Sequence, residues 1–257
     1  MLFPVNQSAP GTAPARPAPA EAGLHARVLD HLGTAICSGD VAAGSVLSIE
    51  DLVDRYQVSR SVIREVLRVL ASMGLIETRR RVGIMIQSPG VWSVFDPQVI
   101  RWRLASAGRM AQMRSLTELR TAIEPYAAWL AAERVDDDEA SELVGLAAKM
   151  WAAGKAGDVA RFVDLDIEFH RRVLVASGNE MFAKLQLIVT EVLAGRHHHH
   201  LMPHHPDEHA LQLHTDVAQA IQRRDGERAR EAMAETLEQG YAEMKSLWER
   251  TAEPGDA

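Results

Sequence analysis

The sequence has a single cysteine, Cys37, in 257 residues, so an intrachain disulfide is excluded and a reducing cytoplasm is the expected setting. Cys37 falls in a helix-like apolar stretch and reads as a small packed residue rather than a nucleophile. Aromatic residues make up only 5% of the chain against 47% hydrophobic residues, which suits a soluble, alanine- and leucine-rich helical protein. No apolar run approaches the roughly 20 residues that a membrane helix needs. Residues 1–23 lack both the basic start and the unbroken apolar core of a signal peptide; with Pro4, Pro10, Pro14, Pro17 and Pro19 they read as a disordered tail. Nucleophile motifs, phosphate-binding loops and HExxH helices are also missing. So is positive charge overall, because the chain carries −7. That deficit is uneven: residues 23–88 hold eight arginines against seven acidic residues, and the acidity belongs to the C-terminal part. Six of those eight arginines, Arg60, Arg64, Arg68, Arg79, Arg80 and Arg81, fall within two short stretches, so a local basic face suited to nucleic acid survives the negative total.

The first stretch, Ser59 to Leu75, predicts one helix with an arginine-bearing start. Ser59 is placed to cap it by accepting from an orphan amide, Val62, Val66, Leu67, Val69, Leu70 and Met73 supply its apolar side, and Gly74 ends it. Ile49 to Tyr56 is a shorter amphipathic helix capped by Ser48, and only Gln57 and Val58 separate the two. That is helix-turn-helix spacing. Leu75 to Gln87 then gives two β-prone runs around Arg79, Arg80, Arg81 and Gly83, a hairpin with a basic tip. A helix with arginines at its N-terminal end can enter a major groove while such a wing reaches phosphates or the minor groove. Leu24 to Ser38 supplies the remaining helix of this domain. The organisation expected is a tail at 1–23, a winged helix-turn-helix at 24–88, a linker helix region at 89–111, an all-α domain at 112–250 and a tail at 251–257. In the linker, Asp96 caps a helix opened by Pro97, with Trp92, Phe95, Ile100 and Trp102 as apolar anchors. Beyond it, helical periodicity runs through about 112–134, 137–153, 157–177, 180–202, 207–224 and 226–249, with no convincing two-residue alternation. The fold class expected is mainly α.

Inside the helical domain, polar residues fall on apolar faces. Asp166 and His170 lie four apart, flanked by Phe162, Phe169 and Val173. His214 sits among Ala210, Leu211, Val217, Ala218 and Ile221. Such groups must be hydrogen-bonded, paired or metal-bound, and one carboxylate with two imidazoles suits a divalent metal such as Zn, Ni or Mn. Arg120, beside Leu119, Ile123 and Ala127, suits either a bidentate grip on a ligand carboxylate or a buried salt bridge with Glu124. His197-His-His-His200, with His204, His205 and His209, reads as a solvated polar loop.

The run V-S-R-S-V-I-R-E-V-L-R-V-L-A-S-M-G-L-I-E followed by R-R-R-V-G resembles the DNA-binding domain of the GntR superfamily of bacterial transcription regulators. The resemblance implies that Arg60, Ser61 and Arg64 face base edges or phosphates, with Ser59 and Gly83 close to the DNA backbone. Val62 stands where the family usually has proline, and Glu50 where it often has an arginine. The segments D-I-E-F-H and L-H-T-D-V-A-Q-A-I-Q-R-R-D resemble the FCD-type ligand domain of the FadR subfamily. Many of its members bind a metal through residues matching Asp166, His170 and His214; the fourth ligand position falls here at Thr236. Arg120, the text W-x-x-x-D-x-x-V-I-R-W and the missing fourth histidine are similar to the galactonate-type branch that answers to sugar acids.

A cytoplasmic, homodimeric repressor is therefore expected, binding a palindromic double-stranded DNA operator and released by a small carboxylate effector held by Arg120, Asp166, His170, His214 and Thr236, with no membrane partner. The alternative is a metal-dependent enzyme acting on a small hydroxy acid with an appended winged domain; a purely architectural DNA protein is a third reading, disfavoured by the polar groups inside the helical domain.

Overall fold

The computed structural model describes residues 19–199, 201 and 207–252. Most of the tail at 1–23, the end of the C-terminal tail, and His200, His204 and His205 lie outside the described residues. The chain divides between Trp92 and Ser93 into two units.

In the first unit, α1 (Pro19–Ser38) starts ahead of the predicted Leu24. It buries Val28, Leu29, Leu32 and Ile36 at helical spacing, each worth about 1.5–3 kcal/mol on removal from water. After β1 (Val46–Leu47), α2 (Ile49–Tyr56) is capped by Ser48, which accepts from the Asp51 amide. Helix α3 (Arg60–Ser72) is capped by Ser59, which accepts from Val62. The buried side of α3 is Ile63, Val66, Leu67 and Leu70; Val62, predicted as part of it, is half-exposed. Strands β2 (Ile76–Arg79) and β3 (Gly83–Ile86) form the hairpin, with Arg79 opposite Gly83 and Ile76 opposite Ile86. The strand order is β1-β3-β2, antiparallel throughout, so β3 is covered on both edges. Alternation puts Ile84 and Ile86 inward. Strand β1 was not predicted, because two residues carry no detectable period.

Gly74 closes α3 at φ +75, and a Cβ there would stand 2.4 Å from the Val91 carbonyl oxygen. Gly74→Ala is expected to destabilise this unit by about 1–2 kcal/mol through the left-handed backbone and by about 1–3 kcal/mol more through overpacking, read as a lower urea midpoint. An unchanged midpoint contradicts the close approach. Trp92 seals the unit, its indole donating to the Gln87 carbonyl at 3.0 Å.

In the second unit Asp96 caps α4 (Pro97–Leu104), accepting from Gln98 and Val99. Ile100 and Trp102 are buried, whereas Phe95, predicted as an anchor, is 61% exposed because it precedes the helix and packs on no core face. Helix α4 packs on α5 (Arg109–Arg134) and α9 (Gln186–His198). Helix α6 (Asp137–Ala156) opens with a capping box of Asp136 and Glu139. It runs through Gly154, where a break was predicted and where a Cβ would sit 2.7 Å from Leu211 Cδ2; the glycine serves close packing there, not chain reversal. Helix α7 (Val159–Ala176) lies against α5, α6 and α9. The segment predicted as one helix over 180–202 is two, α8 (Glu180–Lys184) and α9, with Leu185 as the joint. Leu185 packs against two apolar clusters at once. Helices α10 (Glu208–Gln222) and α11 (Gly226–Ala252) pack on each other and on α5. Alanines such as Ala128, Ala131, Ala132, Ala218, Ala229 and Ala232 line these crossings, so the helices approach closely around the polar residues of α7 and α10. Among the described residues no helix is long and apolar enough to cross a membrane. The class is as read: mainly α, with a winged helix-turn-helix followed by a helical bundle.

Candidate functional site

Helix α7 presents Asp166 and His170 one turn apart, and α10 brings His214 to meet them; all three are buried. Asp166 Oδ1 lies 3.1 Å from His214 Nε2 and 3.2 Å from His170 Nε2. The far sides of both imidazoles are engaged. His214 Nδ1 is 2.8 Å from the Ala210 carbonyl oxygen, which can only accept, so this nitrogen carries the proton. His170 Nδ1 is 2.5 Å from Glu124 Oε2, likewise an acceptor. In their neutral forms, both rings therefore aim a bare Nε2 lone pair at a carboxylate oxygen. Three electron-rich atoms within 4.8 Å of one another repel unless something positive lies among them, either protons on the rings or a cation. The donor set fits a divalent metal: one oxygen and two nitrogens, with each oxygen–nitrogen gap spanned by two bonds of about 2.0–2.2 Å.

Charge in the surroundings sustains this arrangement. Burial pushes the Glu124 carboxyl upward, but Arg120 and His170 outweigh it and lower the group to about 2. Asp166 is pushed up by burial and pulled well below its ordinary value by hydrogen bonds from His170 and His214 wherever those rings carry Nε2 protons. His170 is lowered by burial and raised by Glu124 and Asp166, and the net direction is upward. Glu124, on α5, thus orients the ring of His170 in the way that a carboxylate behind a ligating histidine does.

The cluster opens into a cavity of about 50 Å³. Arg120, Thr236, Arg196, Gln239, Tyr241 and Glu243 complete its wall. Of the two readings of Arg120, the salt bridge is present: Nε lies 2.5 Å from Glu124 Oε1 and Nη2 donates to Oε2 at 3.5 Å. Thr236 is buried on the wall with its hydroxyl donating to Ala232 at 2.7 Å. Arg196, which the sequence did not single out, donates from Nη2 to the Gly240 carbonyl at 2.9 Å. Glu168, adjacent in sequence to the cluster, faces away and binds Arg171 and Arg172. His197 and His198 form the exposed last turn of α9 rather than a loop.

The residues singled out in the winged unit fall on α3 and its cap and on the β2–β3 hairpin. Arg60, Ser61 and Arg64 are exposed along the start of α3. The Ser59 and Ser61 hydroxyls are 2.8 Å apart, and Arg60 Nη1 reaches Glu50 Oε1 at 3.0 Å. Arg79, Arg80 and Arg81 are exposed at the hairpin tip, Arg79 paired with Glu77 at 2.9 Å and Arg81 at φ +66. Gly83 has an internal reason to be glycine, since a Cβ would lie 2.9 Å from Val46 Cγ1.

Comparison with known proteins places both units. Residues 24–86 match the gntR family of bacterial regulatory proteins, and residues 115–239 match the FCD domain. The chain is 26% identical over 223 residues to the galactonate operon transcriptional repressor of Escherichia coli (strain K12), covering 86% of this chain and 96% of that protein. It is 29% identical over 161 residues to the HTH-type transcriptional regulator LutR of Bacillus subtilis (strain 168), covering 62% of this chain and 70% of that one. Among solved structures, E. coli McbR/YncC shares the fold, with a TM-score of 0.52 at 18% identity over 88% of this chain and 98% of that one. These relatives are regulators, which sets aside the enzyme alternative. The chain belongs to the GntR family: it is a DNA-binding transcription regulator with a GntR winged helix-turn-helix followed by an FCD domain.

Proposed function

We propose that the chain is a homodimeric cytoplasmic repressor whose hold on a palindromic operator is loosened by a small hydroxy acid, a sugar acid in the first instance, bound in the helical cavity beside a divalent metal. Residues 24–88 read DNA, with Arg60, Ser61 and Arg64 on base edges or phosphates of the major groove, Arg79, Arg80 and Arg81 on phosphates, and Ser59 and Gly83 near the backbone. Residues 112–250 take the effector. Similarity to a galactonate operon repressor supports the sugar-acid class.

One observation carries the ligand reading: the convergence of Asp166 Oδ1 with two imidazole nitrogens whose opposite nitrogens are already donating. Asp166, His170 and His214 would hold the metal, of the Zn, Ni or Mn type. Bound there, it supplies positive charge and open positions for carboxylate or hydroxyl oxygens. Three protein ligands, with Thr236 where a fourth would be, leave more of the ion for the effector. Glu124 and Arg120 fix the His170 ring, and the apolar side chains of Phe162 and Phe169 keep water out. Effector binding moves the equilibrium only by its differential affinity for the DNA-bound and released forms.

The test is metal stoichiometry and acid binding on the full chain, before and after chelation. Wild type is expected to hold about one ion per chain and to lose acid binding on chelation, and Asp166→Asn to bind metal at least 10- to 100-fold more weakly, at or beyond what loss of an outer-sphere partner causes. Unaltered acid binding after complete metal removal would sink the metal's role and leave imidazole protonation as the source of positive charge.

A further inference from the structure

Two arginines line the cavity, and they are not equivalent. The Arg120 guanidinium is matched by Glu124, so its charge is already answered. Arg196, on α9, has a side chain only 11% exposed, and its nearest carboxylate, Glu243, stands at 4.0 Å, the outer limit of an ion pair. Its Nε is buried with no hydrogen-bond partner among the described residues. Burial is the largest influence on it and pulls it below its ordinary value. The guanidinium lies against Gly240 of α11, where a Cβ would sit 3.0 Å from Nη1. A largely buried cation whose nearest carboxylate stands at 4.0 Å is costly, and its Nε–H has no acceptor among the described residues.

We propose that Arg196 is the residue that reads the effector's carboxylate. The ligand class is a small monoanionic acid, its carboxylate bonded by Arg196 and its hydroxyl end directed to the Asp166, His170 and His214 cluster. Arg120 positions Glu124 and His170 instead. This assignment rests on the carboxylate-effector reading above.

The experiment is calorimetric titration of the metal-loaded, full-length protein with D-galactonate and glycolate, with neutral glycolamide as control, on wild type, Arg196→Met and Arg196→Lys. Wild type is expected to bind an acid and to ignore the amide. Arg196→Met, which keeps an unbranched side chain of similar reach without the charge, is expected to keep its metal, to melt no lower than wild type, and to lose acid affinity by about 10- to 150-fold, the range for a charge-assisted hydrogen bond. Arg196→Lys is expected to recover only part of that loss, because an ammonium lacks the fork. Gly240→Ala, which displaces the guanidinium without removing it, is expected to weaken the acid several-fold and covers the case of an Arg196→Met that does not fold. Acid affinity within threefold of wild type in Arg196→Met, or in Gly240→Ala where that variant alone folds, overturns the proposal, as does a lowered melting temperature with acid affinity intact, which is the mark of a strut between α9 and α11. A wild type that binds neither acid overturns the carboxylate reading itself, and the role of Arg196 with it.

Discussion

Glu124→Ala is expected to be the most damaging single change in the helical unit, costing about 3–5 kcal/mol, the range for breaking a buried ion pair by removing one partner. Glu124 is 1% exposed and accepts from Arg120 on one side and His170 on the other. Its removal strands one buried guanidinium and one buried imidazole together. Urea unfolding of chelated protein measures the cost, and a loss below about 1 kcal/mol, the scale of an exposed pair, would mean that water reaches the site. Acid behaviour follows from the same contact. The Glu124 carboxyl is lowered from an ordinary 4.5 to about 2, so its contribution is complete above the ordinary value and is lost as pH falls from there toward about 2. Wild type is therefore expected to lose stability across that interval, and Glu124→Ala to lose less of it.

The second large effect is on DNA. Arg60→Ala and Arg64→Ala are each expected to cost about 1–3 kcal/mol of operator binding, roughly 5- to 150-fold, and to reduce the preference for operator over scrambled sequence. Arg80→Ala and Arg81→Ala are expected to weaken both sequences alike and to lower the salt slope by about one. The contrast follows from position: Arg60 and Arg64 project from the N-terminal half of α3, whereas Arg80 and Arg81 cap a hairpin turn. Glu50→Ala is expected to leave stability nearly unchanged, because its pair with Arg60 is well over half exposed on both sides. An operator preference unaffected by the loss of both α3 arginines would contradict the proposed reading face.

The parts of the molecule legible in the sequence are those with local causes. Ser48, Ser59 and Asp96 act as caps one turn ahead of the amides they serve. Gly74 marks its helix end by a backbone conformation that other residues pay to adopt. The i,i+4 spacing of Asp166 and His170 on an apolar stripe was visible because a helix places them on one face. The 46-residue jump from His170 to Glu124 was not. Glu124 was legible as a neighbour of Arg120, but its second bond depends on how α5 crosses α7. Arg196 was hidden for the same reason: it precedes a histidine run at a polar helix end, and only the approach of Gly240 on α11 shows that it is buried. Phe95 misled in the opposite sense, since hydrophobicity without a helical position carries no direction.

An acid bound in the helical cavity is expected to govern the hold of the winged unit on DNA. The most direct test is fluorescence anisotropy of the full-length protein on its own upstream DNA, titrated with aldonates and hydroxy acids, with and without chelator. Tight, sequence-dependent binding that one acid weakens is expected, with the weakening abolished by chelation. Binding that prefers the upstream DNA yet responds to no acid in the metal-loaded protein would contradict it.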